Sequence, residues 1–210
     1  PGHYGADFMV EDLRSVIKAL DGKTPTLVGA SMGGGTSLIA IGEKKISAKA
    51  LVLVDMAPRI EQEGQQQIQD FMDQCPNGFD SLDQVAEAIA NYQPHRPRKR
   101  NLDGLAKNVR IGIDGRFRWH WDPEWRRGRG SMDTYRDRLH DSAFHINVPT
   151  LLVRGALSNV LTEAGAQDFL KQCPQAEYVN VKSAAHMVAG DRNDVFADAV
   201  ISFLGRVAPV

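Results

Sequence analysis

One pentapeptide constrains this chain more than any other feature: Gly29-Ala30-Ser31-Met32-Gly33, set between an apolar run and an apolar helical pattern. The stretch Thr24-Pro25-Thr26-Leu27-Val28-Gly29 before it reads as a short buried strand, and Thr36 to Ile41 continues as a helix up to the polar Glu43-Lys44-Lys45. A G-x-S-x-G in that context demands a sharp strand-to-helix turn, which lifts the serine hydroxyl above a sheet. The small residues Gly29 and Gly33 are expected to let neighbouring backbone pass close to the turn. At the N-terminus of the following helix, the Met32 amide points to where negative charge develops on a substrate oxygen, half of an oxyanion hole. Without these flanks the same pentapeptide would be a glycine-rich turn around a buried serine.

Three more apolar runs read as strands: Ala50 to Asp55, Thr150 to Gly155 and Ala176 to Val181. Helical patterns alternate with them, from Phe8 to Leu20 (Met9, Val10, Leu13, Val16, Ile17, Leu20) and again at Val195, Phe196, Ala199, Val200, Phe203 and Leu204. This alternation predicts an α/β fold, a mostly parallel sheet with flanking helices on both faces. Between Ala57 and Asn147 charge rises and strand runs vanish, so the predicted organisation is core at 1–56, a helical cap insertion at 57–147, and core again at 148–210. Within the insertion, Ser81-Leu82-Asp83-Gln84 is a capping box, and Asp114-Gly115 between Ile111, Ile113, Phe117 and Trp119 predicts a type I′ hairpin.

Twenty-five basic residues against twenty-six acidic give a net charge of −1, which speaks against nucleic acid or an anionic membrane as partner and suits a small-molecule substrate. Arg96, Arg98, Lys99 and Arg100 are a solvated face, because no base-stacking aromatics are interleaved with them. Cys75 and Cys173 are far apart and lack partners at metal-ligand spacing, so neither a metal site nor any cofactor is expected, and free thiols imply the cytoplasm. No apolar run approaches the ~20 residues that span a bilayer.

His186 follows the last strand within Ser183-Ala184-Ala185-His186-Met187, small residues that allow the loop to fold back over Ser31. A neutral imidazole takes a serine proton and returns it to a leaving group. Asp55 ends the second strand run, where it either orients that imidazole or caps the start of the insertion. Trp119, His120, Trp121 and Trp125, with Phe117 and Tyr92, form either an apolar wall for substrate, with Trp119 and Trp121 as its contacts, or the insertion's own core.

The segments Leu27 to Gly34, Leu53 to Arg59, Leu152 to Asn159 and Ala184 to Val188 together resemble the α/β-hydrolase superfamily, in its cap-bearing branch of serine esterases, cofactor-free haloperoxidases and epoxide-hydrolase relatives. The resemblance covers nearly the whole chain and implies Ser31 as nucleophile and His186 as base. Relatives usually carry the triad acid after the third of these strands, where this sequence has Asn159. Asparagine can orient the ring but cannot stabilise the imidazolium, so the expected acid is Asn159's position in a weakened or inactivated enzyme, or else Asp55 or Glu163. The family also places four strands before the first helix found here. The expectation is therefore an N-terminally truncated hydrolase fold with an exposed Thr26 to Gly29 edge, its missing part lying outside this sequence or supplied by a second copy. Three functions fit: an ester hydrolase, a cofactor-free perhydrolase, or a hydrolase-like binding protein. Epoxide-hydrolase and dehalogenase mechanisms require a carboxylate nucleophile where this chain has Ser31.

Overall fold

The computed structural model describes residues 3–96, 102–126 and 131–209. Helix α1 (Ala6–Ala19) leads to β1 (Thr26–Ala30), α2 (Met32–Gly42) and β2 (Ala50–Val54). Then come α3 (Gln62–Met72), α4 (Leu82–Tyr92), β3 (Val109–Ile111) and β4 (Phe117–Trp119). The last group is α5 (Met132–Phe144), β5 (Thr150–Gly155), α6 (Glu163–Gln172), β6 (Ala176–Val181), α7 (Val188–Asp191) and α8 (Asn193–Val207). The described residues fall into two compact units, one within Pro1–Gln62 and Glu124–Val210, the other within Glu63–Pro123. None of the described helices is long and apolar enough to cross a membrane.

In the first unit β1, β2, β5 and β6 pair in that order, all parallel. Every residue of β2 and β5 is buried, as continuous apolar runs in a doubly covered sheet must be. The strand period of two splits them between faces. Leu51, Leu53 and Leu152 join Val10 of α1, Leu38 and Ile39 of α2, Leu139 of α5 and Phe169 of α6. Val52, Val54, Leu151 and Val153 join Val181, Val188 and Phe203 of α8 on the other side. Burying each such leucine or phenylalanine is worth about 1.5–3 kcal/mol. Strand β1 is half covered: Leu27 is buried, whereas Val28 is 50% exposed.

Helix α5 corrects the boundary predicted for the insertion. Its polar sequence resembles the preceding segment, yet it packs in the first unit with Leu139 and Ala143 in the core. A Cβ at Gly42 of α2 would lie 2.5 Å from the Ser142 carbonyl oxygen, so the two helices meet at backbone distance. Charge belongs to the arrangement too, because Arg138 pairs with Glu43 and with Asp7, at 2.5 Å for the latter.

The second unit is organised by Phe79, Val85, Ala88 and Trp119, with Phe71, Ile89, Phe117 and Trp121 against them. Ser81 caps α4 by accepting from the Gln84 amide, but the Gln84 side chain reaches the amide of Asp80 rather than Ser81, one residue short of a true capping box. The β3–β4 hairpin forms where Asp114-Gly115 predicts it, with a different turn. Gly115 alone of the loop has positive φ (75°), and Gly112 N–H bonds to the Arg116 carbonyl, which makes a three-residue loop with a left-handed glycine instead of type I′. Arg118 donates to Asp114, whose carboxyl it holds below the usual carboxylate range.

Candidate active site

Ser31 sits between β1 and α2 at φ 48° and ψ −117°, a conformation that a non-glycine residue adopts only under constraint. The constraint is backbone contact. Ser31 N–H donates to the Val54 carbonyl at 3.2 Å, and α2 folds back so tightly that a Cβ on Gly29 would come within 2.5 Å of the Gly33 oxygen. Gly34 is the second close-approach position, since its Cβ would lie 2.9 Å from the Gly29 oxygen. Gly33, expected in that role, faces open space, so the packing requirement falls one residue later than the pentapeptide suggests. Met32 opens α2, and its amide belongs to the first helical turn, whose N–H groups have no partner within the helix.

Asp55 follows β2 directly, also at positive φ (48°), and is fully buried. Ala30 and Val54 are register partners, so Ser31 and Asp55 leave adjacent strands side by side. The buried carboxylate is supplied with donors: Oδ1 accepts Gly155 N–H at 2.9 Å, and Oδ2 accepts both the Ser158 hydroxyl and Nδ1 of His186, the latter at 2.8 Å. Such pairing is required of a charge held at zero exposure.

His186 lies between β6 and α7, its side chain 12% exposed. Two contacts seat its loop. Ala185 N–H donates to Asp191 at 2.8 Å, and Leu157 N–H donates to the Ala184 carbonyl at 2.8 Å. Gly155 is indispensable to this packing, because a Cβ there would be 2.2 Å from the Ala185 oxygen. Ser31, Asp55, Gly155, Ser158 and His186 all belong to the first unit.

Of the residues singled out from sequence, the structure brings Asp55 and His186 into direct contact and sets Ser31 beside Asp55 through the backbone. Asn159 is exposed in the loop after β5. Glu163 is committed elsewhere, accepting from Tyr178, Asn180 and the buried Arg154. Burial and that hydrogen bond push the Tyr178 phenol up to about 12, while Tyr178 holds the Glu163 carboxyl down. Trp119 and Trp121 stack at 4.8 Å in the core of the second unit, with Phe71 and Phe79 against Trp119, so the aromatic cluster serves that unit's own packing. Arg96 is half-buried, whereas Arg98, Lys99 and Arg100 lie outside the described residues, as does the side chain of Trp125. Sequence reasoning missed Gly155, Ser158 and Asp191. Only Gly155 carried a signal, as the glycine that ends a strand.

The chain matches the alpha/beta hydrolase fold family over residues 1–192. Among curated proteins it is similar to the sn-1-specific diacylglycerol lipase ABHD11 of Mus musculus, 25% identical over 211 residues, covering 93% of this chain and 64% of that protein. It is also similar to esterase Rv0045c of Mycobacterium tuberculosis, 24% identical over 199 residues and covering 91% and 64%. The chain thus spans just under two thirds of the length of these relatives. Among solved structures, E-2-(acetamidomethylene)succinate hydrolase superposes with a TM-score of 0.79 at 22% identity, covering 97% of this chain and 75% of that one. The M. tuberculosis esterase Rv0045c superposes at 0.76 and 24%, covering 96% and 69%. These two likenesses establish the fold, and the family match extends through the serine turn, the buried aspartate and the histidine loop alike: the chain belongs to the alpha/beta hydrolase fold family.

Proposed function

We propose that this chain carries the catalytic machinery of a serine hydrolase acting on a small, uncharged carboxylic ester through an acyl-enzyme. The observation that carries the reading is the 2.8 Å hydrogen bond between His186 and the fully buried Asp55, one strand away from a serine held at φ 48°. Ser31 attacks the ester carbonyl while His186 Nε2 takes its proton. The Met32 amide stabilises the oxyanion, and His186 then returns the proton to the departing alcohol. Water, deprotonated by the same imidazole, releases the acid and restores the serine. Asp55 keeps the imidazole in the productive tautomer and stabilises the imidazolium. The curated names of two relatives, a diacylglycerol lipase and an esterase, agree with ester cleavage.

An asparagine at the position of Asn159 favours a non-catalytic binding protein only while no carboxylate meets His186, and the Asp55 contact to Nδ1 supplies one. Treatment with a fluorophosphonate followed by peptide mass spectrometry tests the proposal. A covalent adduct on Ser31, abolished in Ser31→Ala, is the expected result. A folded protein that takes no label and hydrolyses no aryl ester refutes it.

A further inference from the structure

The Ser158 hydroxyl is buried and has every bonding position assigned. Its oxygen accepts Val160 N–H at 3.2 Å and Leu161 N–H at 3.3 Å, which occupies both lone pairs. Its one proton has Asp55 Oδ2 as its destination. The other carboxylate oxygen accepts Gly155 N–H. Asp55 therefore meets Ser158 and Gly155 purely as an acceptor, and the remaining contact on Oδ2, with His186, is one in which Nδ1–H donates. That leaves the lone pair on Nε2, the nitrogen a serine base needs.

We propose that Ser158 is a positioning residue: by fixing the rotamer and acceptor state of Asp55, it fixes the tautomer and orientation of His186. This inference rests on the serine-hydrolase reading for its kinetic consequence, though not for its spectroscopic one. The geometry that makes Ser158 suited to the task is a braced loop. Arg154 Nε donates to the Leu161 carbonyl at 2.7 Å, Ala156 N–H to Val181 at 3.0 Å, and Leu157 N–H to Ala184. One short segment thereby holds the aspartate from one side and the histidine loop from the other. The residue is only 7% exposed and one position before Asn159, so the loop that usually supplies the family's acid here supplies a hydroxyl that orients an acid from the neighbouring strand.

The test compares Ser158→Ala and Ser158→Thr in the full chain, with p-nitrophenyl acetate kinetics, melting temperature and the low-field proton resonance of His186 Nδ1–H, assigned by its loss in His186→Gln. Ser158→Ala is expected to lower kcat on the order of 10- to 100-fold with KM within about twofold. Its Nδ1–H resonance broadens or disappears, and Ser158→Thr, which restores a hydroxyl, recovers both. The proposal is overturned if Ser158→Ala keeps its resonance and kcat, or if Ala and Thr variants lose them equally, which marks a packing role. Should the parent itself neither hydrolyse ester nor take the fluorophosphonate, the hydrolase reading fails separately, and the resonance still decides whether Ser158 sets the imidazole.

Discussion

At the scale of single residues, the question is which side chain completes the serine–histidine pair, and two candidates differ by one oxygen in place of an amide nitrogen. Asp55 has the geometry: zero exposure, donors on both oxygens and a 2.8 Å contact to Nδ1. Replacing it with asparagine keeps the shape but turns one acceptor into a donor, disfavouring the tautomer with Nδ1–H. Asp55→Asn is thus expected to reduce kcat by on the order of 10⁴, as the same exchange does in a serine protease, while Asn159→Asp changes kcat by less than about threefold. Ester turnover by the two purified variants checks this. A large gain from Asn159→Asp together with a mild effect of Asp55→Asn would transfer the acid's role to the loop after β5. The ambiguity was visible in the sequence because both residues follow a strand run, Asp55 directly and Asn159 four residues after Gly155. It was not resolvable there, since only three-dimensional register shows that Asp55 emerges next to Ser31 and beneath the histidine loop.

Among elements, the strand ends decide the site and the glycines decide how closely the loops approach. Strands β2 and β5 were legible as apolar runs because a parallel sheet covered on both faces leaves no polar alternation to confuse the reading, while the edge strands β1 and β6 were legible from short runs bounded by turn residues. Helix α5 was not, since its exposed charges disguise a narrow stripe containing Leu139 and Ala143, and only the partner α2 reveals which face is buried. The hairpin was legible in place but not in turn type, because Asp-Gly serves both type I′ and left-handed-glycine loops. Gly155 shows the same limit, as nothing local says that another segment's carbonyl lies where its Cβ would be. With only 2.2 Å available, Gly155→Ala must displace the Ala184-Ala185 backbone and with it His186. We expect a loss of about 1–3 kcal/mol in stability and a drop in kcat disproportionate to it. Denaturant melts alongside kinetics measure both, and a variant with parental stability and turnover would show that the histidine loop yields freely.

For the molecule as a whole, the two edge strands of the described sheet expose different chemistry. β6 exposes the polar Glu177 and Asn180 while Val181 is buried and Val179 packs in the cluster that holds Phe203 of α8, whereas β1 exposes the apolar Val28. Val28 is 50% exposed, and Phe8 and Val16 of α1, Leu20 just after it and Met32 of α2 are exposed by 47–77%. An edge strand with an exposed apolar side chain invites pairing with another chain, a tendency that natural proteins suppress by placing lysine or proline there. Because β1 carries Ser31 at its end, association along this edge would also bear on the site. The 210-residue chain is accordingly expected to self-associate in a concentration-dependent way, and Val28→Lys should suppress that association. The melting temperature should change little, since Val28 lies on the exposed face of the strand and loses little buried area. Light scattering and sedimentation velocity across a concentration series provide the measurement. A parent that stays monomeric at high concentration would mean that this edge is protected without help from a charge, and a lysine variant that associates equally would mean that association runs through another surface.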